Sequence, residues 1–176
     1  MDYPKRKPIR IPGYDYSQAN YYFITICTHK KEWLFGDRCG LNRWGLEVRK
    51  QIAEIDTRYS DIRIVKSVVM PNHVHMIVAV GCDLQRVDGT NLSSVIGLFK
   101  AGVSRAIHQQ DPNRIVWQRS FHDHGIRCRE DFENTWLYIE NNPAKWGLKL
   151  QRGCQEAGTA IFPVGVSWFG KPSFLL

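Results

Sequence analysis

The segment that most restricts the fold is 62–80. Two apolar, β-branched runs, Ile62-Arg63-Ile64-Val65-Lys66-Ser67-Val68-Val69-Met70 and His73-Val74-His75-Met76-Ile77-Val78-Ala79-Val80, are separated only by Pro71-Asn72. That composition favours strands, and Pro-Asn is a turn signal. A connection this short joins strands that run antiparallel, because a parallel pair needs a long crossover. An antiparallel hairpin is therefore expected at the centre of the chain.

The flanking periodicities supply the rest. Tyr21-Tyr22-Phe23-Ile24-Thr25-Ile26-Cys27-Thr28 reads as a strand. After a loop with Gly36 and Gly40, Leu41, Trp44, Val48, Ile52 and Ile55 recur at helical spacing up to about Tyr59. A polar loop runs from Gly81 to Thr90, and Asn91 or Ser93 is placed to cap a helix reaching about His108. Ile115-Val116-Trp117-Gln118 reads as a short fourth strand, and Arg119 to Arg127 as loop or hairpin. Glu130 to about Asn142 reads as a third helix, which Pro143 should stop because proline disfavours helical geometry in the residue before it. The first six elements follow the order βαββαβ. The expected fold class is α+β, a ferredoxin-like antiparallel sheet with an additional C-terminal helix carrying Tyr138. Residues 1–20 form a basic N-terminal arm in this division, 21–148 the folded domain, and 149–176 an extension of no assigned role.

A chain of 176 residues suits one such domain. No run of about 18 apolar residues exists, so no membrane span is expected. The basic start lacks the apolar region of a secretory signal. Five cysteines, with no C-x-x-C pair, argue against a disulfide framework or a cysteine zinc site. Reduced thiols fit a cytoplasmic location. The surplus of 24 Lys and Arg over 17 Asp and Glu favours a polyanionic partner.

Two features carry chemistry. His73 and His75 stand two apart on a predicted strand, so both imidazoles share one face while Val74 points the other way. Two neutral histidines leave most of a divalent ion's coordination open to phosphate oxygens. A solvated strand face would carry the same pattern. Tyr138 and Asn142 are four apart and share a helix face. The tyrosine can face a phosphate there while the amide oxygen of Asn142 reaches the ion, an oxygen donor of the kind Mg and Mn accept. Taken alone, Tyr138 also suits a half-buried aromatic with its hydroxyl in water.

Three blocks in order decide between these readings. Met70-Pro71-Asn72-His73-Val74-His75-Met76-Ile77-Val78 closely resembles the signature of single-tyrosine HUH transposases. Trp117-Gln118-Arg119-Ser120-Phe121-His122-Asp123-His124-Gly125-Ile126-Arg127 looks like their second block. Tyr138-Ile139-Glu140-Asn141-Asn142-Pro143-Ala144-Lys145-Trp146-Gly147-Leu148 resembles the tyrosine helix of the REP-associated tyrosine transposases. The resemblance implies that His73 and His75 are metal ligands, that Tyr138 is the nucleophile, and that Asn142 lies at or near the metal. It implies a divalent Mg or Mn cofactor and a single-stranded or hairpin DNA partner. It further implies transfer through a 5′-phosphotyrosine, with the protein acting as monomer or homodimer.

Other residues are candidate DNA contacts. Lys5, Arg6, Lys7 and Arg10 form the basic arm. Lys100, Arg105, Arg119, Arg127 and Arg129 are placed to meet phosphates, and Phe121 and Trp117 to stack on bases, although core packing suits Trp117 better. His122 and His124 form a second His-x-His, for which a structural or DNA-contacting role is expected rather than a metal site. The alternatives to a transposase are a catalytically inactive DNA-binding relative and an RNA-binding ferredoxin-like domain. The strand Ile24-Thr25-Ile26-Cys27 lacks the basic-Gly-aromatic signature of the latter.

Overall fold

The computed structural model describes residues 20–37, 39–81 and 91–154, the last of these as backbone only beyond Gly147. The arm residues Lys5, Arg6, Lys7 and Arg10, the thiol of Cys82, and the extension from 155 onward lie outside the described residues. In chain order come β1 (Asn20–Cys27), a 3-10 turn (His29–Lys31), the short strands β2 (Gly36–Asp37) and β3 (Gly40–Leu41), and α1 (Arg43–Arg58). Then follow β4 (Ile62–Met70), β5 (His73–Val80), α2 (Leu92–His108), β6 (His122–Ile126) and α3 (Arg129–Cys154). The main sheet has the order β4-β5-β1-β6, with every neighbour antiparallel. This is the ferredoxin-like arrangement, α+β, with one helix added at its end.

Alternation along the strands divides the sheet into two faces. Tyr22, Ile24 and Ile26 of β1 and Val74, Met76, Val78 and Val80 of β5 enter the main core, under α1 and α2. Tyr21, Phe23 and Ile77 face the other way, where Phe132, Trp136 and Ile139 of α3 cover them. A bulge between Ile64 and Lys66 lets β4 keep both faces in phase. The helix starts follow capping chemistry. Asn42 Oδ1 accepts from the N–H groups of Trp44 and Gly45, each at 3.0 Å, and Asn91 Oδ1 accepts from Ser93 N–H at 2.8 Å.

Two elements depart from the sequence expectation. The fourth strand of the sheet is His122–Ile126, not Ile115–Gln118. Val116 and Trp117 are buried in the main core, and the segment meets the sheet end only through a single bridge between Thr28 and Trp117. The actual edge strand is His-Asp-His-Gly-Ile. It is too polar to show strand periodicity, because one side of an edge strand meets water. Second, α3 runs through Pro143 rather than stopping at Asn142. A helix-interior proline costs about 3 kcal/mol. Packing offsets it here: Asn142 is buried, and Trp146 beyond the proline packs against Trp33 and His73.

Candidate active site

The register of the sheet brings the site together. On β1, Thr25 lies opposite His75 and Cys27 opposite His73. The two histidine rings share one sheet face, with centroids 4.5 Å apart, while Val74 between them is fully buried in the main core. α3 crosses this same face. The Tyr138 ring packs edge-on to His75 at 5.3 Å and to Phe23 at 5.9 Å. Trp146, two turns further on, meets the His73 ring at 6.0 Å. Asn142 sits between Tyr138 and Trp146 at four-residue spacing, on the helix stripe that faces the pair.

Each histidine has one ring nitrogen held from outside the site. Asn72 Oδ1 is 2.6 Å from His73 Nδ1. The orientation of the Asn72 amide is set by its other end, since Nδ2 donates to Lys31 O at 3.2 Å. An amide oxygen only accepts, so His73 carries its proton on Nδ1 and leaves a lone pair on Nε2. Thr25 Oγ1 is 2.9 Å from His75 Nδ1, and its hydroxyl can accept in the same way. His75 Nε2 is buried without a hydrogen-bond partner, and so is Asn142 Oδ1. Orphaned buried polar atoms cost about 1–3 kcal/mol each. Trp44 Nε1, Arg114 Nε and Asp123 Oδ1 are others among the described residues, but only His75 and Asn142 bring two of them to one site.

The electrostatics agree. Burial pushes the His73 imidazole down to about 4, with the Lys31 ammonium adding to the effect. Burial and then the neighbouring His73 bring His75 down to about 3. Both rings are therefore neutral at pH 7, the state in which imidazole is a metal ligand. Among the described residues no group of three His, Cys, Asp or Glu side chains is placed to hold an ion. Beside the two imidazoles, a further donor from the described residues would have to be of another type. The Asn142 amide fits that place: it is 5% exposed, and its oxygen has no other partner. Tyr138 is 44% exposed, so its edge of the site opens to solvent. The Lys145 ammonium lies 5.7 Å from its ring centroid.

Several expected DNA contacts are placed elsewhere. Phe121 is buried in the main core and offers no free stacking face, and Trp117 packs there on Phe35 and Phe99. Lys100 is turned inward, its ammonium donating to the carbonyls of Gln118 and Ser120, both at 2.9 Å. It pins the loop before β6, since donors on a half-buried ammonium are better satisfied by carbonyls than left unpaired. Arg105 lies on α2, beside Glu54 and Arg58 of α1, on the far side of the sheet from the histidines. His124 is tied to Asp131 at 2.9 Å, which also accepts from Arg127 N–H at 3.1 Å, so it fastens β6 to the start of α3. Arg119, Arg127 and Arg129 are exposed, Arg129 being paired with Glu133. The sheet face that an RNA-binding domain would open to bases is covered by α3.

Thr25, Asn72, Trp33 and Trp146 carry no functional signal of their own in the sequence. Asn72 reads only as a turn residue, and Thr25 becomes visible only through its cross-strand partner. Trp146 lies beyond Pro143, where local sequence predicts the helix to have ended.

The comparisons with known proteins agree with this architecture. Residues 15–142 match the family described as "Transposase IS200 like". The chain belongs to the IS200-like transposase family and is thereby a DNA transposase. An uncharacterized protein of Haemophilus influenzae is 32% identical over 161 residues, covering 80% of this chain and 89% of that protein. Among solved structures, a REP-associated tyrosine transposase bound to a REP hairpin matches with a TM-score of 0.59 at 19% identity, over 100% of this chain and 99% of that one. At that identity the likeness is one of fold. No helix among the described residues is long and apolar enough to cross a membrane. Cys27, Cys39 and Cys128 are free thiols.

Proposed function

We propose that the chain is a metal-dependent, single-strand DNA endonuclease and strand transferase of the REP-associated tyrosine branch, acting on hairpin or repeat DNA. The observation that carries this reading is the pair of buried, unpartnered donors, His75 Nε2 and Asn142 Oδ1, beside the ring of an exposed tyrosine. His73, His75 and Asn142 would hold a divalent ion, Mg or Mn, for which the amide oxygen and the phosphate oxygens of the DNA are suited donors. Once bound, such an ion withdraws charge from a phosphate oxygen and keeps coordination sites open for it.

The protein's own groups then do the following. Thr25 and Asn72 hold the imidazoles by their Nδ1 atoms and fix both rings in place. The stacked rings of Phe23 and His75 pack against the edge of the Tyr138 ring, which stays 44% exposed. The Tyr138 oxygen attacks the phosphorus as its proton leaves to solvent. The bond from phosphorus to the 3′ oxygen breaks, that oxygen takes up a proton, and a 5′-phosphotyrosine remains. A second 3′-hydroxyl later attacks the same phosphorus, the bond to Tyr138 breaks, and the phenol is restored. One phosphodiester is broken and one is made, so no external energy source is required. Lys145 beside the ring supplies positive charge near the strand.

The test is a denaturing gel of protein incubated with labelled hairpin DNAs from its own genomic neighbourhood, in Mg or Mn. A protein–DNA adduct is expected that vanishes in EDTA and with Tyr138→Phe. An adduct that survives Tyr138→Phe would overturn the assignment of the nucleophile.

A further inference from the structure

The turn between β1 and β2 is unusual for its conformation and its composition. Lys30 and Lys31 are consecutive residues with φ of 50° and 56°, in the left-handed region that non-glycine residues seldom adopt. Each such residue costs on the order of 1 kcal/mol, and persists only where its surroundings over-determine it. They do so here. Thr28 Oγ1 donates within reach of Glu32 O at 2.8 Å and Asn72 O at 3.0 Å, while Asn72 Nδ2 holds Lys31 O. The residue that orients His73 therefore also anchors the lysine turn. Directly after the turn stands Trp33, a tryptophan 45% exposed. Its ring lies 5.5 Å from that of Trp146, which in turn meets His73. Glu32, the acid within the turn, is engaged by Arg114 at 2.6 Å, so its charge is matched. The result is an indole pair flanked by Lys30, Lys31 and Lys145, contiguous with the histidine site.

We propose that the Lys30–Lys31 turn and the Trp33–Trp146 pair form a binding subsite for unpaired DNA beside the reacting phosphate, the lysines taking phosphates and Trp33 stacking on a base. This rests on reading the adjoining site as a DNA phosphoryl-transfer centre. The chemistry selects the occupant. An exposed indole offers a face to any base, and cations on one side of it match a strand whose phosphates repeat along its length. A duplex would keep its bases stacked on each other and give the indole nothing to cover. The subsite therefore prefers a single strand, with the lysine turn setting the path of the backbone toward His73.

The experiment uses the full chain in EDTA, so that binding is read apart from cleavage. Affinity is measured by fluorescence anisotropy for labelled oligothymidylate and for a fully abasic strand of the same length. Trp33→Ala is expected to weaken binding to oligothymidylate by about 5- to 150-fold, the range for one stacked base, and to leave the abasic strand within about twofold. Trp33→Phe should recover most of that loss. Lys30→Ala and Lys31→Ala should weaken both strands alike, each lowering the salt slope of the affinity by about 0.7. Equal losses on the two strands with Trp33→Ala, or no loss on either, would overturn the subsite. If the wild type binds neither strand and forms no adduct with any hairpin, the subsite and the proposed function fall together; an adduct with an unchanged Trp33→Ala affinity overturns the subsite alone.

Discussion

Replacing Asn142 by leucine separates what the fold needs from what the site needs. The two side chains are of similar size and branching, so the change removes polarity with little change of volume. Asn142 is 5% exposed and its Oδ1 has no partner, which costs about 1–3 kcal/mol in the metal-free protein. Leucine removes that cost. In EDTA, Asn142→Leu should therefore be more stable than the wild type by about 1–2 kcal/mol, which raises the melting temperature by about 2–8 °C for a chain of this size. Added Mn reverses the order. At a metal concentration of about 100 Kd, the wild type gains about 2.7 kcal/mol by mass action. Even outer-shell changes weaken metal sites by about 10–100-fold, and a lost donor costs no less. At a 100-fold weakening the same Mn adds only about 0.4 kcal/mol to the variant. Thermal unfolding of both proteins with EDTA and with Mn reads all four states. A variant that is destabilised in EDTA by more than about 1 kcal/mol would refute the claim that the amide oxygen is orphaned. An unchanged Mn shift would remove Asn142 from the ligand set.

Acid should loosen the metal-free fold. His75 is held down to about 3 and His73 to about 4, against an unfolded value near 6.5, so between these limits the unfolded chain binds protons that the folded chain refuses. Stability is complete above about pH 6.5 and falls as pH drops below it; at pH 5 the His75 contribution alone is about 2 kcal/mol. Denaturant unfolding in EDTA at pH 7 and pH 5 checks this, and a His75→Phe chain that loses just as much stability would refute the cause. Thr25→Val removes the partner of His75 Nδ1 and should weaken Mn binding by about 10–100-fold, with the nitrogen chemical shifts of His75 showing a mixture of tautomers. A single unchanged tautomer would mean that Thr25 does not set it. Lys100→Met removes two donor contacts to the Gln118 and Ser120 carbonyls and should destabilise the fold by about 1–3 kcal/mol. The salt slope of DNA binding should stay as it was, because that ammonium faces inward.

The elements that sequence alone places well are those where burial and local periodicity coincide. The first strand and the two helices over Arg43–Arg58 and Leu92–His108 each turn one apolar face or stripe to the main core, and the hairpin of 62–80, covered on both faces, shows as two near-continuous apolar runs. The failures share one physical cause, a tertiary contact that overrides the local signal. Ile115-Val116-Trp117-Gln118 has the composition of a strand, but Val116 and Trp117 are core plugs held by Lys100 and a single bridge, and Ile115 is exposed. His122-Asp123-His124-Gly125-Ile126 lacks that composition, yet it pairs along β1 from Tyr21 to Thr25, because an edge strand needs backbone partners more than apolar side chains. Pro143 carries a real penalty, and the helix passes it because residues on both sides are gripped by the histidine face.

The candidate site divides along the same line. Two- and four-residue spacings show that His73 and His75 share one face and Tyr138 and Asn142 another before any tertiary contact is known, while their roles are suggested only by the resemblance of the three blocks. What orients them is not legible there, since Thr25 is 50 residues from His75 in sequence and meets it only through strand register. Asn72 joins both levels. Its backbone belongs to the two-residue turn that makes the hairpin possible, one end of its amide fixes His73, and the other holds the strained Lys30–Lys31 turn. A substitution such as Asn72→Ala removes both contacts at once, so the imidazole and the lysine turn should loosen together. The tight spacing of Pro-Asn-His-Val-His thus has a physical reason beyond the pairing of the two histidines. The residue that reverses the chain is the one that couples the histidine site to the surface next to it.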